Sequence, residues 1–324
     1  MSFVRHDQVD LQKNLFAAHY EFPRSQRLRG AFEWMITDYY SKASLELPFE
    51  ARGILLTGPT RIGKTTETRR ILAELNNGTT LMPDGRPARI VSVTLDGKIS
   101  WKDLGIHTLR TGLRYPIKDG RHLNQRNYWE KVQTQAQKQG VVGIHYDECQ
   151  HIFTNRKPEA RELILDSFKT LLKQPDWPFM LVLSGTGKLG ERIQEEPQLA
   201  HLLRPVSFTE INVHRQDDLN ELNSLCHAYA ERAGHDFTEI GTVDFYRRFS
   251  LACGNSWGLA AELMIAVLLN AHDKNTGALS TAMFCEAFTE RLELQPGFSP
   301  FSVDDYEELF IAQKMIELWS KSKE

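Results

Sequence analysis

The sequence contains no apolar run near the roughly 20 residues needed to span a bilayer. Its apolar runs, such as FMLVL at 179–183, are far shorter and of strand length. The start, MSFVRHDQVDLQKN, lacks the charged opening and apolar core of a secretory signal, so a cytoplasmic location with no membrane partner is expected. Cysteine is scarce. Cys149, Cys226, Cys253 and Cys285 lie far apart and form no C-x-x-C pair, which excludes a metal cluster of the zinc-finger type and leaves reduced structural thiols as the expectation. Internal repeats and low-complexity segments are absent. The net charge of −3, spread over 324 residues with 41% hydrophobic and 25% charged, is that of an ordinary globular chain, long enough for one large domain and a smaller one.

The near-neutral average hides a gradient. From Gly85 to Lys157 there are 13 Lys/Arg against 6 Asp/Glu, whereas from Glu286 to Glu324 there are 4 against 9. Two readings stay open: ordinary fluctuation of solvated faces, or a basic working face on the core with an acidic tail for another partner.

Short apolar, partly β-branched runs alternate with helical patterns through the first two-thirds of the chain. They are RGILLTG (52–58), RIVSVTL (89–95), VVGIHYD (141–147), FMLVLSG (179–185) and VSFTEINV (206–213). Strands separated by helices predict an α/β core, a parallel five-stranded sheet sandwiched by helices. The first 50 residues read as a helical lead-in, and 51–213 as the core. Three helical stretches beginning QDDLNEL, VDFYRRF and SWGLAAEL place a small all-helical domain over 214–293. LQPGFSP then breaks the pattern, and 294–324 reads as a linker followed by one amphipathic helix. Its Tyr306, Leu309, Phe310, Ile316 and Trp319 either pack back on their own domain or dock a partner.

GPTRIGKT, Gly58 to Thr65, matches the phosphate-binding pattern G-x-x-x-x-G-K-[ST] and sits between a strand and a helix. Gly58 and Gly63 keep the backbone clear of a phosphate, and consecutive N–H groups with the helix start cradle its oxygens. Gly58, Pro59, Thr60, Arg61, Ile62, Gly63, Lys64, Thr65 and Thr66 are therefore the expected ATP-binding loop. Lys64 is directed at the β/γ-phosphates and Thr65 at Mg²⁺, though no role follows for Arg61. VVGIHYDE supplies the second half: Asp147 to hold Mg²⁺ and Glu148 to polarise an attacking water, a pair that favours hydrolysis over transfer to a small molecule. The strand FMLVLSGT ends in Ser184 and Thr186, either of which could sense the γ-phosphate, with Thr186 preferred. Arg204 lies just before the last strand. It is either an arginine that reaches a neighbouring subunit's nucleotide or a surface residue at a helix end. His145 and His151 flank the acidic pair without a third zinc ligand.

This ordered set of P-loop, DE strand, polar strand end, arginine and helical lid resembles the AAA+ ATPases. HYDECQHI resembles the DEAQ-type motif of the MuB, ExeA and TnsC/TniB branch, and TLDGKISWKDL with the single compact lid is most similar to the TnsC/TniB transposition regulators. The resemblance implies an ATP- and Mg²⁺-dependent protein that forms a homo-oligomeric ring or filament on double-stranded DNA. It implies that the assembly links a target-selection protein to a transposase and comes apart on hydrolysis. It also implies phosphate-backbone contacts by Lys98, Lys102, Lys118 and Arg121, which would read no sequence. CGNSWGLAAEL departs from the pattern, with Trp257 and Gly258 but no lid arginine, so a slow switch is expected. The alternative is an ExeA-like or helicase-loader ATPase acting on other proteins; the intact Asp147–Glu148 pair argues against a non-hydrolysing scaffold.

Overall fold

The computed structural model describes residues 4–97, 99–117, 124–274, 276–295 and 297–321. Two helices come first, α1 (His6–Ala17) and α2 (Pro23–Ala43), the second opening on a proline whose missing N–H costs nothing at a helix start. β1 (Gly53–Thr57) runs through the glycine-rich loop into α3 (Lys64–Leu75). β2 (Arg89–Thr94) leads to α4 (Trp101–His107). The start of α4 is held by reciprocal capping: Ser100 Oγ accepts from the Asp103 N–H while the Asp103 carboxylate accepts from the Ser100 N–H. A π-helical turn over Thr108–Gly112 follows. After it come α5 (Gln125–Gln139), β3 (Val141–Asp147), a 3-10 turn over Cys149–Phe153, and α6 (Pro158–Leu172). β4 (Met180–Gly185), α7 (Gly187–Gln194), α8 (Pro197–Leu202) and β5 (Leu203–Ser207) complete the α/β part.

The five strands form one parallel sheet in the order β2-β3-β4-β1-β5, the α/β architecture expected. Every residue of β3 and β4 is buried, because a parallel sheet carries helices on both faces. The last strand differs from the expected 206–213: it spans Leu203–Ser207 and includes Pro205. Proline is tolerated there because β5 is an edge strand, bonded only to β1, so one row of its backbone groups needs no partner in the sheet.

The chain divides into two compact units, Pro23–Phe208 on one hand and Met1–Phe22 with Thr209–Glu324 on the other. The expected helical lead-in of 50 residues is thus split. α2 packs on β1 and β5 in the first unit, whereas α1 packs within the second.

The second unit contains α9 (Gln216–Ala233), α10 (Val243–Ala252), α11 (Trp257–Asp273), α12 (Thr281–Arg291), α13 (Tyr306–Leu309) and α14 (Ala312–Lys321). α1 lies against α9 and α11, and Phe245, Phe249, Phe284 and Phe301 form the unit's aromatic core. The single C-terminal helix expected over this stretch is interrupted. Phe310 adopts an extended backbone and buries its ring near Phe288 and Phe298, so α13 and α14 are separate. Trp319 is fully buried. Its Nε1 donates to the Ala252 carbonyl at 2.9 Å, and the Arg291 guanidinium lies 4.4 Å from its ring centre. Tyr306, Phe310 and Trp319 are therefore committed to their own unit, and Leu309 and Ile311 are left exposed. Among the described residues no single helix is long and apolar enough to cross a membrane.

Candidate functional site

The site is built where β1, β3 and β4 end side by side, the place where open parallel sheets present ligand-binding loops. Leaving β1, the chain turns so tightly that a Cβ on Gly58 would stand 2.5 Å from the Phe208 carbonyl oxygen. Gly63 sits at φ 99°, a left-handed conformation that costs glycine little, and caps the start of α3. Arg61 shares that left-handed region at φ 62°. The first N–H groups of α3 have no intrahelical acceptor, so together with the helix dipole they favour an anion.

Lys64 opens α3 and is 4% exposed. Its Nζ donates to the carbonyls of Gly58 and Pro59, at 2.8 and 2.7 Å, holding the ammonium inside the loop. Burial pushes its pKa down, partly opposed by the negative charges of Glu148 and Asp147. Ile62 is buried beneath the loop, while Thr60 and Thr66 face solvent and Pro59 is half-buried.

Asp147 closes β3 and is 2% exposed. One carboxylate oxygen, Oδ2, accepts from Thr65 Oγ1 at 2.7 Å. The other, Oδ1, accepts from Ser184 Oγ at 2.6 Å and from the Glu148 N–H at 3.1 Å. Burial alone would raise its pKa, but the hydrogen bonds from Ser184 and Thr65 outweigh it and hold the carboxyl below the usual range. Two oxygen groups 2.7 Å apart, one ionised, are a donor set suited to a hard divalent cation such as Mg²⁺.

Glu148 is in the left-handed region at φ 55°, a strained position for a residue with a Cβ. Its carboxylate accepts from Gln150 Nε2. The other end of the Gln150 amide accepts from the Thr186 N–H at 3.2 Å, so one side chain ties Glu148 to the end of β4. A Cβ at Gly185 would strike this amide at 2.3 Å. The sequence assigns Gln150 no role within HYDECQHI, because nothing in the spacing reveals a contact across to β4. Of the two hydroxyls at that strand end, Ser184 is the one on Asp147. Thr186 Oγ1 is buried beside it with no hydrogen-bond partner.

His145 is another residue to which spacing assigns no role. It is completely buried, its Nδ1 2.8 Å from Ser92 Oγ and its Nε2 2.8 Å from Ser184 Oγ. Burial pushes its pKa down to about 4, against a smaller opposite pull from Asp147, so the ring is neutral.

Arg204 stands apart from this cluster. It is exposed on β5, opposite Ile54, three residues before the end of β1, and about 10 Å back along the sheet at the usual strand rise. Its guanidinium lies 5.3 Å from the ring centre of Trp34 on α2. It is a strand residue, because β5 begins at Leu203 and not beyond it. Lys102 is half-buried on α4, its Nζ 5.7 Å from the Tyr128 ring centre. Lys98, Lys118 and Arg121 lie outside the described residues.

Residues 47–193 match a family described as an AAA domain. The chain is also similar to the structure of ORC2 from Aeropyrum pernix in its ADPNP–ADP complexes, with a TM-score of 0.55, 15% identity, and coverage of 86% of this chain and 72% of that one. The ADP form of the same protein gives 0.55, 14%, 86% and 72%. A point mutant of RuvB from Thermotoga maritima gives 0.49 at 13% identity, covering 88% of this chain and 74% of that one. No curated protein matches the sequence. At such identities the ORC2 structures speak to the fold alone, an α/β fold on a five-stranded parallel sheet that matches a P-loop AAA+ core.

Proposed function

We propose that the chain is a slow ATPase that uses nucleotide state to time its assembly on double-stranded DNA, in the manner of a TnsC/TniB transposition regulator. The observation that carries the reading is the convergence of Lys64, Thr65, Asp147, Glu148 and Ser184 at one end of the sheet, within a loop shaped for phosphate. The loop from Gly58 to Thr66 would hold the triphosphate, with Lys64 exchanging its carbonyl partners for phosphate oxygens. Thr65 and Asp147 would hold Mg²⁺, which neutralises charge on the phosphates when bound. Glu148 would orient and polarise the attacking water. Gln150 restrains Glu148 and links it to Thr186, whose unpartnered hydroxyl suits a γ-phosphate sensor.

Arg204 is too far back along its own sheet to join the cluster of the same chain, and its exposed perch on Trp34 suits contribution to a second copy. A homo-oligomer would therefore complete each site. Lys98, Lys102, Lys118 and Arg121 would contact the phosphate backbone, and a target-selection protein and a transposase would be the partners of the assembled form. The absence of a lid arginine in SWGLAAEL favours a switch over a motor.

Electron microscopy of the protein with duplex DNA, with and without a slowly hydrolysed ATP analogue, tests the reading. Rings or filaments that require both are expected, and Lys64→Ala should abolish them. Assemblies that form equally without nucleotide, or in the Lys64→Ala protein, would overturn it.

A further inference from the structure

A continuous line of hydrogen bonds crosses the sheet beneath the proposed metal position. Ser92 on β2 meets His145 on β3, His145 meets Ser184 on β4, Ser184 meets Asp147, and Asp147 meets Thr65 at the start of α3. The register explains how five residues so distant in sequence line up. Ser92 is directly opposite His145, and His145 is opposite Val182. His145 and Asp147 are two apart on β3, as Val182 and Ser184 are on β4, so their side chains share one face.

The protons along this line can be assigned. An ionised carboxylate has none to give, so Ser184 must donate its only O–H to Asp147 Oδ1 at 2.6 Å. Its oxygen can then only accept from His145 Nε2 at 2.8 Å, which places the imidazole proton on Nε2. A neutral imidazole carries one N–H, so Nδ1 accepts, and the Ser92 hydroxyl donates at 2.8 Å. The opposite tautomer would turn the Ser184 proton toward His145 and leave two buried oxygens facing each other across 2.6 Å. A second acceptor for Ser184, the Tyr146 carbonyl at 3.4 Å, is too distant to compete.

We propose that His145 is a positioning residue for the metal end of the site: as its Nε2–H tautomer it locks the Ser184 hydroxyl onto Asp147 and fixes the direction of that carboxylate toward Thr65. Without an N–H donor behind its oxygen, the Ser184 hydroxyl would be free to turn away from Asp147. His145 removes that freedom without bringing charge into the sheet. The residue touches neither nucleotide nor metal, and its effect passes through Ser184, as outer partners of metal-ligating carboxylates commonly act. The inference rests on the reading of Asp147 and Thr65 as the divalent-cation end of a nucleotide site.

Two measurements test it. In the unaltered protein without nucleotide, the long-range nitrogen–proton couplings of ¹⁵N-labelled histidine should report the Nε2–H tautomer for His145; an Nδ1–H signature would overturn the proposal. The second measurement is binding of a fluorescent ATP analogue across a Mg²⁺ titration. His145→Leu should raise the Mg²⁺ needed for half-maximal tightening by about tenfold, the scale expected for a lost outer partner, and leave metal-free binding unchanged. His145→Gln, whose amide N–H can still donate to Ser184, should recover most of it. Adding Ser184→Ala to His145→Leu should produce no further shift beyond Ser184→Ala alone, because both act through one hydroxyl. A wild-type Mg²⁺ requirement in His145→Leu, or no difference between the Gln and Leu variants, would overturn it. Should His145→Leu not fold, the tautomer measurement decides alone. An unaltered protein that binds no nucleotide would defeat the ATP-site reading, while the tautomer would still be read directly.

Discussion

The helical unit buries only neutral polar side chains among the described residues: Gln8, whose amide reaches Asp273, and the hydroxyls of Ser250, Ser256, Thr289 and Ser299, which bond mostly within a turn or two, such as Ser250 to Asn255 and Thr289 to the Cys285 carbonyl. The α/β unit buries charged side chains, Arg24, Lys64, Glu67 and Asp147, together with the His145 imidazole, and ties His145 to Ser92 and Asp147 to Ser184 and Thr65, residues on other elements. Hydroxyls that cap local turns serve the stability of the helices that carry them. Buried charge costs several kcal/mol unless fully compensated, and a fold that only needed stability would do better with apolar residues there. On the proposed reading, the strand ends serve chemistry and the phenylalanine-rich unit serves packing.

The largest effect that can sharpen this contrast is on turnover. Glu148→Gln keeps the side-chain shape but removes the base, so hydrolysis should fall by about 10²- to 10⁴-fold with nucleotide affinity and melting behaviour retained. ATPase assays beside a thermal melt check it; a variant that hydrolyses normally would show that the acidic strand end is structural after all.

Next in size is a change on the other side. Trp319→Ala removes a fully buried indole and its bond to the Ala252 carbonyl, and should destabilise the helical unit by about 3–5 kcal/mol. Nucleotide affinity of the α/β unit should not move. Calorimetry with and without nucleotide separates the two, and a matching loss of affinity would break the division of labour.

The legible part of this molecule is the part encoded by spacing. G-x-x-x-x-G-K-T between a strand and a helix identifies the loop by itself, and the run of apolar residues into Asp147 and Glu148 marks β3. The parallel sheet follows from alternation alone. What spacing does not carry is which strands become neighbours. His145 and Gln150 gain their partners only because β3 lies between β2 and β4, and neither contact can be read along the chain. Pro205 hides the boundary of β5, since a proline reads as a break until the strand is known to be an edge. The bend at Phe310 is hidden because its ring fits the helical period while its backbone is drawn inward by packing on Phe298.

A third prediction concerns pH. The pKa of His145 is about 4 in the folded protein, below its ordinary 6.5, so between those values the unfolded chain binds more protons than the folded one. Its contribution is therefore fully present above about pH 6.5 and is lost as pH falls toward 4. Denaturant unfolding of the unaltered protein from pH 7.5 to 4.5, compared with His145→Gln, should show the steeper decline in the former. Equal slopes would mean that the imidazole is not held neutral, and the polar line across the sheet would lose its central member.

The smallest expected effect falls on a charge that is neither buried nor in the cluster. Lys102 is half-buried, with its ammonium 5.7 Å from the Tyr128 ring centre and no ion pair among the described residues, so its removal should cost little stability. If it meets one phosphate of duplex DNA, Lys102→Ala should reduce the salt slope of binding by about 1, leaving sequence preference unchanged. Over a fourfold rise in salt that is roughly a fourfold difference in affinity. A slope identical to the unaltered protein would remove Lys102 from the DNA face. A change in slope accompanied by a changed nucleotide affinity would mean that this surface lysine, unlike the buried charges, acts on both ligands at once.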